Sequence, residues 1–279
     1  MPYVNVGQEN SAPIKLHYED HGTGRPVVLI HGFPLNGRAW ERQERALLGA
    51  GFRVITYDRR GFGLSSQPVT GYDYDTFAAD LDRLLTSLDL HGVCLAGHSM
   101  GGGEIARYLG KYGTARVSRA VIISGVPPYL LKTPETPNGV PQEVFDQITA
   151  ALTADRAAYF TEWNKNFFNL DETLGRRISA EVVQDAWNTA VGASPEGTIA
   201  CVPTWHTDFR ADLPKIDIPV LVLHGTADRI LPFESTAARL RDEKLIADLT
   251  VIPIENGPHN IGWTFGDEVN TALLDFLAK

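Results

Sequence analysis

An α/β fold, with a mostly parallel central sheet flanked by helices and one helical insertion, is what this sequence predicts on three observations. Short apolar runs alternate with longer stretches of helical periodicity. One run, Val93-Cys94-Leu95-Ala96, passes straight into Gly97-His98-Ser99-Met100-Gly101, where a helix begins at once. The alternation then stops, and a further apolar run at Val220-Leu221-Val222-Leu223 resumes it.

Residues 14–19 and 27–30 read as strands, 40–48 as a helix and 53–57 as a strand. A helix over 74–88 follows from the apolar stripe Phe77, Leu81, Leu84, Leu85 and Leu88. The strand before Ser99, a helix to about Tyr112 and a strand over 117–124 complete the first half. From Gly125 to Asp212 the chain is rich in helix formers, aromatics and Pro, with no clear strand, so it reads as a helical cap hinged at Gly- and Pro-rich segments. The expected division is a core from 1–124 and 213–279 with a cap over 125–212. Aromatics in that cap, Phe145, Tyr159, Phe160, Trp163, Phe167, Phe168, Trp187 and Trp205, should mostly pack the cap itself, the rest roofing the site.

A strand, a Gly-x-Ser-x-Gly turn and a helix form a nucleophile elbow. The turn is tight enough that Gly97 and Gly101 must lack side chains, and Ser99 is lifted above the sheet edge. The amide of Met100 then points where an oxyanion would form. Serine is a weak nucleophile at neutral pH and needs a base, which in turn needs a carboxylate to orient it. The apolar strand ending in His224-Gly225-Thr226-Ala227-Asp228 offers Asp228 as the acid. The strand over 249–254 leads to Glu255-Asn256-Gly257-Pro258-His259 and offers His259 as the base. Both lie just past strand ends, at the edge where ligands bind open parallel sheets. The turn His31-Gly32-Phe33-Pro34 after another apolar strand offers the Phe33 amide as a second oxyanion donor. Pro34 restricts the backbone of Phe33. The remaining histidines read as turn, strand or scaffold positions.

Other signals are excluded. Gly61-Phe62-Gly63-Leu64-Ser65-Ser66 imitates a dinucleotide loop but lacks the third glycine, and Asp58 and Arg60 are expected to knit that loop instead. No His-Glu-x-x-His or Cys/His spacing assigns a metal. With 25 Lys and Arg against 34 Asp and Glu, the net charge of −9 disfavours nucleic acid and anionic membranes as partners. A chain of 279 residues, 43% hydrophobic, can bury a large core. Met1 to Asn10 has neither the basic nor the apolar stretch of a leader, and no apolar run approaches the ~18 residues of a membrane span, so the protein reads as cytoplasmic. Two cysteines, Cys94 and Cys201, read as reduced buried thiols.

Through these motifs the chain resembles the α/β-hydrolase superfamily, whose order of serine, acid and histidine it follows. More closely it is similar to the cofactor-free haloperoxidases, or perhydrolases, with arylesterases and a γ-lactamase among their relatives. That likeness runs through Tyr57 to Ser66, Gly71 to Leu81, Gly139 to Phe145 and Asp267 to Asn270. It implies hydrolysis of small carboxylic esters through an acyl-enzyme, and peracid formation from a carboxylic acid or ester and hydrogen peroxide, with no cofactor. Pro34 stands at the position associated with peroxide use, and Tyr129, Phe145, Phe160, Ile230 and Phe233 would line the acyl pocket. Members are often homo-oligomers. The chain departs from the group at His98, where an aromatic often stands, and at Asn260, where Gly often stands. An amidase or lactamase would share every catalytic residue, and a non-catalytic ligand receptor on the same fold is the other alternative.

Overall fold

The computed structural model describes residues 2–279. In chain order its principal elements are β1 (Tyr3–Glu9), β2 (Ala12–His21), β3 (Pro26–Ile30), α1 (Glu41–Gly49), β4 (Arg53–Tyr57), α2 (Tyr74–Ser87), β5 (Val93–His98), α3 (Met100–Tyr112) and β6 (Val117–Ile123). There follow α4 (Gln142–Phe168), α5 (Leu170–Thr173), α6 (Ala180–Gly192), α7 (Pro195–Cys201), β7 (Val220–Gly225), α8 (Ala237–Asp242), β8 (Leu249–Ile254), α9 (Ile261–Thr264) and α10 (Gly266–Ala278). The eight strands form one sheet in the order β1-β2-β4-β3-β5-β6-β7-β8. β1 with β2 and β2 with β4 are antiparallel, and every later pairing is parallel.

Because side chains alternate across a strand, each central strand feeds two cores. Val28 and Ile30 of β3, Leu95 of β5 and Val222 of β7 face the core shared with α2, α3 and the 125–212 segment. Val27, Leu29, Cys94, Ala96, Leu221 and Leu223 face the opposite core, closed by Leu47 of α1 and Val269, Leu273 and Leu277 of α10. Four of these elements, β1, α8, α9 and α10, lie outside the sequence expectation. β1 is an edge strand with Val4 alone fully buried, and α10 completes the second core. Cys94 and Cys201 are both free and buried.

Between β6 and β7 the chain is helical. α4 breaks at Asp155, where φ −156° and ψ 90° leave the helical region, and the Asp155 carboxylate caps the second half by accepting from the Ala158 amide at 2.9 Å. The loop after β4 is knitted as its residues suggested. Asp58 accepts from the Gly37 and Leu64 amides at 2.8 Å each, and Arg60 grips Asp80 through two bonds of 2.7 Å.

Beside that loop, Arg59 and Glu104 form an ion pair at 2.7 Å, 1% and 0% exposed. The Tyr57 hydroxyl donates to the other Glu104 oxygen. Arg59 also donates to the His31 carbonyl at 2.9 Å, so the pair joins α3 to the chain leaving β3. Removing one partner strands a buried charge, whereas replacing both with apolar groups removes the desolvation cost together with the attraction. Arg59→Met and Glu104→Gln should each lower unfolding free energy in urea by about 3–5 kcal/mol, and Arg59→Met combined with Glu104→Leu should cost less than the sum of the single losses, the Tyr57 hydroxyl and His31 carbonyl left without partners keeping it from full recovery. Single losses under ~1 kcal/mol would contradict this account.

Candidate active site

β3, β5, β7 and β8 end at one edge of the sheet, and the loop after each supplies part of a single site. After β5 the chain turns into α3 through one residue, Ser99, at φ 55° and ψ −114°. Such a conformation costs an L residue about 1–3 kcal/mol and persists only where its surroundings impose it. Here they are backbone. A Cβ on Gly97 would lie 2.4 Å from the Gly101 carbonyl carbon, and one on Gly101 would lie 2.3 Å from the Ile30 oxygen of β3.

The Ser99 hydroxyl lies 2.9 Å from His259 Nε2, and His259 Nδ1 lies 2.7 Å from Asp228 Oδ2. A carboxylate only accepts, so it fixes the imidazole proton on Nδ1 and leaves Nε2 to accept from Ser99. Asp228 Oδ1 accepts from the Ile230 and Leu231 amides, both at 2.8 Å. Burial alone would push the Asp228 carboxyl up, but His259 and His224 outweigh it and hold the group well below the usual carboxylate range. The carboxylate is thereby kept ionised opposite the imidazole.

The turn after β3 runs beside the elbow, where a Cβ on Gly32 would sit 2.9 Å from Ser99 Cβ. His31 Nε2 accepts from the Arg59 amide at 2.9 Å, so its Nδ1 donates to the Gly32 carbonyl, also at 2.9 Å. That carbonyl and the Phe33 N–H belong to one peptide plane, so the ring sets the direction of the Phe33 amide. Burial, aided by Arg59, pulls the His31 imidazole well below its ordinary value and preserves this singly protonated form. Met100 opens α3, and the first amides of a helix have no intrahelical acceptor. The Gly32 turn and the first turn of α3 thus both adjoin Ser99.

A cavity of about 270 Å³ adjoins the site, walled by Phe145, Tyr159, Trp163, Trp205, Ile230 and Leu231 among others. Ser99 and His259 are not among its lining residues. Between them and the cavity stand rings in contact. Phe33 packs on Trp163 and Trp205 at centroid distances of 5.7 and 5.1 Å, and Phe167 packs on Trp163 at 6.0 Å and His259 at 5.4 Å. Of the five acyl-pocket candidates, Phe145 and Ile230 line this cavity. Phe160 lies behind the wall, 6.2 Å from the Phe33 ring. Tyr129 stands under the Arg210 guanidinium at 5.1 Å, and Phe233 packs edge-on against His224 at 5.8 Å. The Phe33 ring, 1% exposed, is screened by the two tryptophans. Trp163 and Trp205, counted among the cap aromatics but not among the acyl-pocket candidates, line this cavity.

Among the described residues one group has metal-ligand proximity: Glu19, His21 and Glu44 bring their ligand atoms within 4.8 Å of one another. His21 pairs with Val54 at the start of β4, the edge of the sheet opposite Ser99, so this group takes no part in the relay. No helix among the described residues is long and apolar enough to cross a membrane.

Comparison with known proteins agrees with this geometry. A family model described as the alpha/beta hydrolase fold matches residues 25–265. A chain from Synechocystis sp., provisionally named a non-heme chloroperoxidase, is 62% identical over 99% of this chain and 100% of its own. A bifunctional esterase/perhydrolase from Acinetobacter calcoaceticus is 34% identical over 95% of this chain and 96% of its own. The crystal structure of a bromoperoxidase from Bacillus anthracis superposes with a TM-score of 0.95 at 46% identity, covering 100% of this chain and 99% of that one.

His98 ends β5 one residue before Ser99. Its Nε2 donates to the His259 carbonyl at 3.1 Å, and the two rings lie 4.9 Å apart. Burial, aided by the neighbouring His259, draws its pKa down to about 3. The unfolded chain binds this proton near pH 6.5 and the folded chain does not, so the native state loses stability as pH falls from about 6.5 toward 3. Between pH 6 and 4.5, His98→Phe should flatten the dependence of unfolding free energy on pH by about 1.4 kcal/mol per unit. Denaturation curves with equal slopes in both proteins would contradict it.

Proposed function

Because this chain belongs to the alpha/beta hydrolase family, we propose that it is a serine hydrolase of small carboxylic esters that also passes the acyl group to hydrogen peroxide. The observation that carries this reading is the continuous relay from Ser99 through His259 to Asp228, at 2.9 and 2.7 Å. His259 Nε2 takes the Ser99 proton as Oγ bonds to the ester carbonyl carbon, and the Phe33 and Met100 amides receive the oxyanion. Collapse breaks the bond to the alcohol oxygen, which leaves with the proton from Nε2. Water or hydrogen peroxide then gives a proton to His259 while its oxygen attacks the acyl-enzyme. Release of Ser99, reprotonated by His259, yields an acid or a peracid.

A peracid in solution transfers one oxygen to a halide ion, giving hypohalite and the carboxylic acid. Peroxide is then the net oxidant, and the acid is recycled. This route connects the esterase/perhydrolase name of one relative with the chloroperoxidase and bromoperoxidase names of others. Residues 125–212 act as the cap in this reading, and the largely apolar cavity beneath them suits a short acyl chain or an aromatic ester. Pro34 biases the second half-reaction toward peroxide, as the resemblance implies.

Hydrolysis of p-nitrophenyl acetate tests the first half. Ser99→Ala should lose on the order of 10³-fold or more in kcat, and turnover at the wild-type rate would remove Ser99 as nucleophile. For the second half, Pro34→Ala should lower the ratio of peracetic acid formation to ester hydrolysis, measured by bromination in acetate and peroxide. An unchanged ratio would free Pro34 of that role.

A further inference from the structure

We propose that His224 is a positioning residue of this relay, an imidazole on β7 whose Nε2–H, bonded to the Leu231 carbonyl, sets its positive end beside Asp228 Oδ2, the oxygen that receives His259 Nδ1. His224 is fully buried, and its Nε2 lies 3.1 Å from that oxygen. Its hydrogen-bond partner is the Leu231 carbonyl at 2.8 Å, and the Thr236 hydroxyl oxygen lies at 3.4 Å. The Thr236 hydroxyl itself donates to the Pro232 carbonyl at 3.0 Å, so its oxygen is left to accept. His224 Nδ1 is buried with no partner. A proton on Nδ1 would strand a buried donor and turn a lone pair toward three oxygens, so the geometry puts the proton on Nε2. Phe233, packed edge-on at 5.8 Å, holds the ring in place.

Asp228 thus accepts three N–H bonds, two amides on Oδ1 and His259 Nδ1 on Oδ2, while the His224 N–H, bonded to the Leu231 carbonyl, stands 3.1 Å from that same Oδ2. The amides fix the carboxylate plane. The second imidazole shares the electron density of Oδ2 and weakens its pull on His259. A relay so moderated yields its proton to the leaving group more readily than one facing a bare carboxylate. The other titratable groups facing the pair are Ser99 and His98. Arg229 turns outward to Asp171 and Glu172, and His31 with Arg59 lies beyond Gly32.

The inference rests on the serine-hydrolase reading, and p-nitrophenyl acetate kinetics across pH test it with two variants. His224→Leu removes the donor; His224→Gln places an amide nitrogen where Nε2 stood. In His224→Leu the acid limb of kcat/KM should move up by about half a pH unit or more, with kcat lowered roughly tenfold and KM little changed. His224→Gln should keep the wild-type limb. An unmoved limb in the leucine variant, or equal shifts in both, would overturn the assignment and leave His224 a packing residue. Should the leucine variant not fold, ¹⁵N NMR of the wild type decides: an Nε2–H tautomer at His224 is expected, and an Nδ1–H tautomer overturns it. Absence of ester turnover in the wild type would instead sink the hydrolase reading, and the tautomer would still report on His224.

Discussion

Three backbone segments meet within van der Waals range at the C-terminal edge of the sheet, and the site depends on their contact. β3 leaves through Gly32, β5 brings in Gly97 one residue before its end, and α3 brings in Gly101 in its first turn. A Cβ on any of the three would come within 2.9 Å of a neighbouring heavy atom. Absence of three side chains therefore lets the elbow close, and closure forces Ser99 to a positive φ. The strain is local and the compensation is spread out. α3 is pinned by Glu104 to Arg59, and Arg59 holds the carbonyl of His31. The same buried ion pair thus steadies the helix that presents Met100 and the turn that presents Phe33.

Polar groups around the relay follow one rule: each is buried and each is given a single orientation by an atom that does not react. His31 is oriented by the Arg59 amide, His259 by Asp228, and Asp228 by the amides of Ile230 and Leu231. A buried donor or acceptor left without a partner costs about 1–3 kcal/mol, so rotation of any one of these groups is opposed by the others. Preorganisation of this kind leaves little to rearrange as charge develops on the substrate carbonyl.

Much of this was legible in the sequence because it is local. Ser99, Asp228 and His259 each stand within a few residues of a strand end, and the strand ends share an edge by the rules of parallel sheets. Strand bounds such as 53–57 and 249–254 could be read from apolar runs between turn residues. The acyl-pocket candidates were not legible to the same degree. Tyr129 lies near the cavity in sequence, yet an exposed-side cation, Arg210, draws its ring away, and Phe233 is taken up by His224. Which aromatic of the cap faces inward depends on the break of α4 at Asp155, and no periodicity announces that break. β1 escaped because an edge strand buries only one of its side chains deeply. α10 escaped because its apolar face is defined by β-strands far away in the chain.

The same helix that walls the cavity also holds the relay. Trp163 and Asn166 of α4 line the cavity, and one turn later the Phe167 carbonyl accepts from the amide of Asn260, the residue after His259. Asn169, at φ 50° and fully buried, donates from its side chain to the Ala227 carbonyl at 2.9 Å, the residue before Asp228. The acid loop and the histidine loop are thus both tied to the last turn of α4. Reacting groups must be held to within a fraction of an ångström for efficient transfer, so a strut shared by acid and base matters as much as their own side chains. In this architecture the helix whose side chains wall the cavity also fixes, through its last turn, the loops that carry Asp228 and His259.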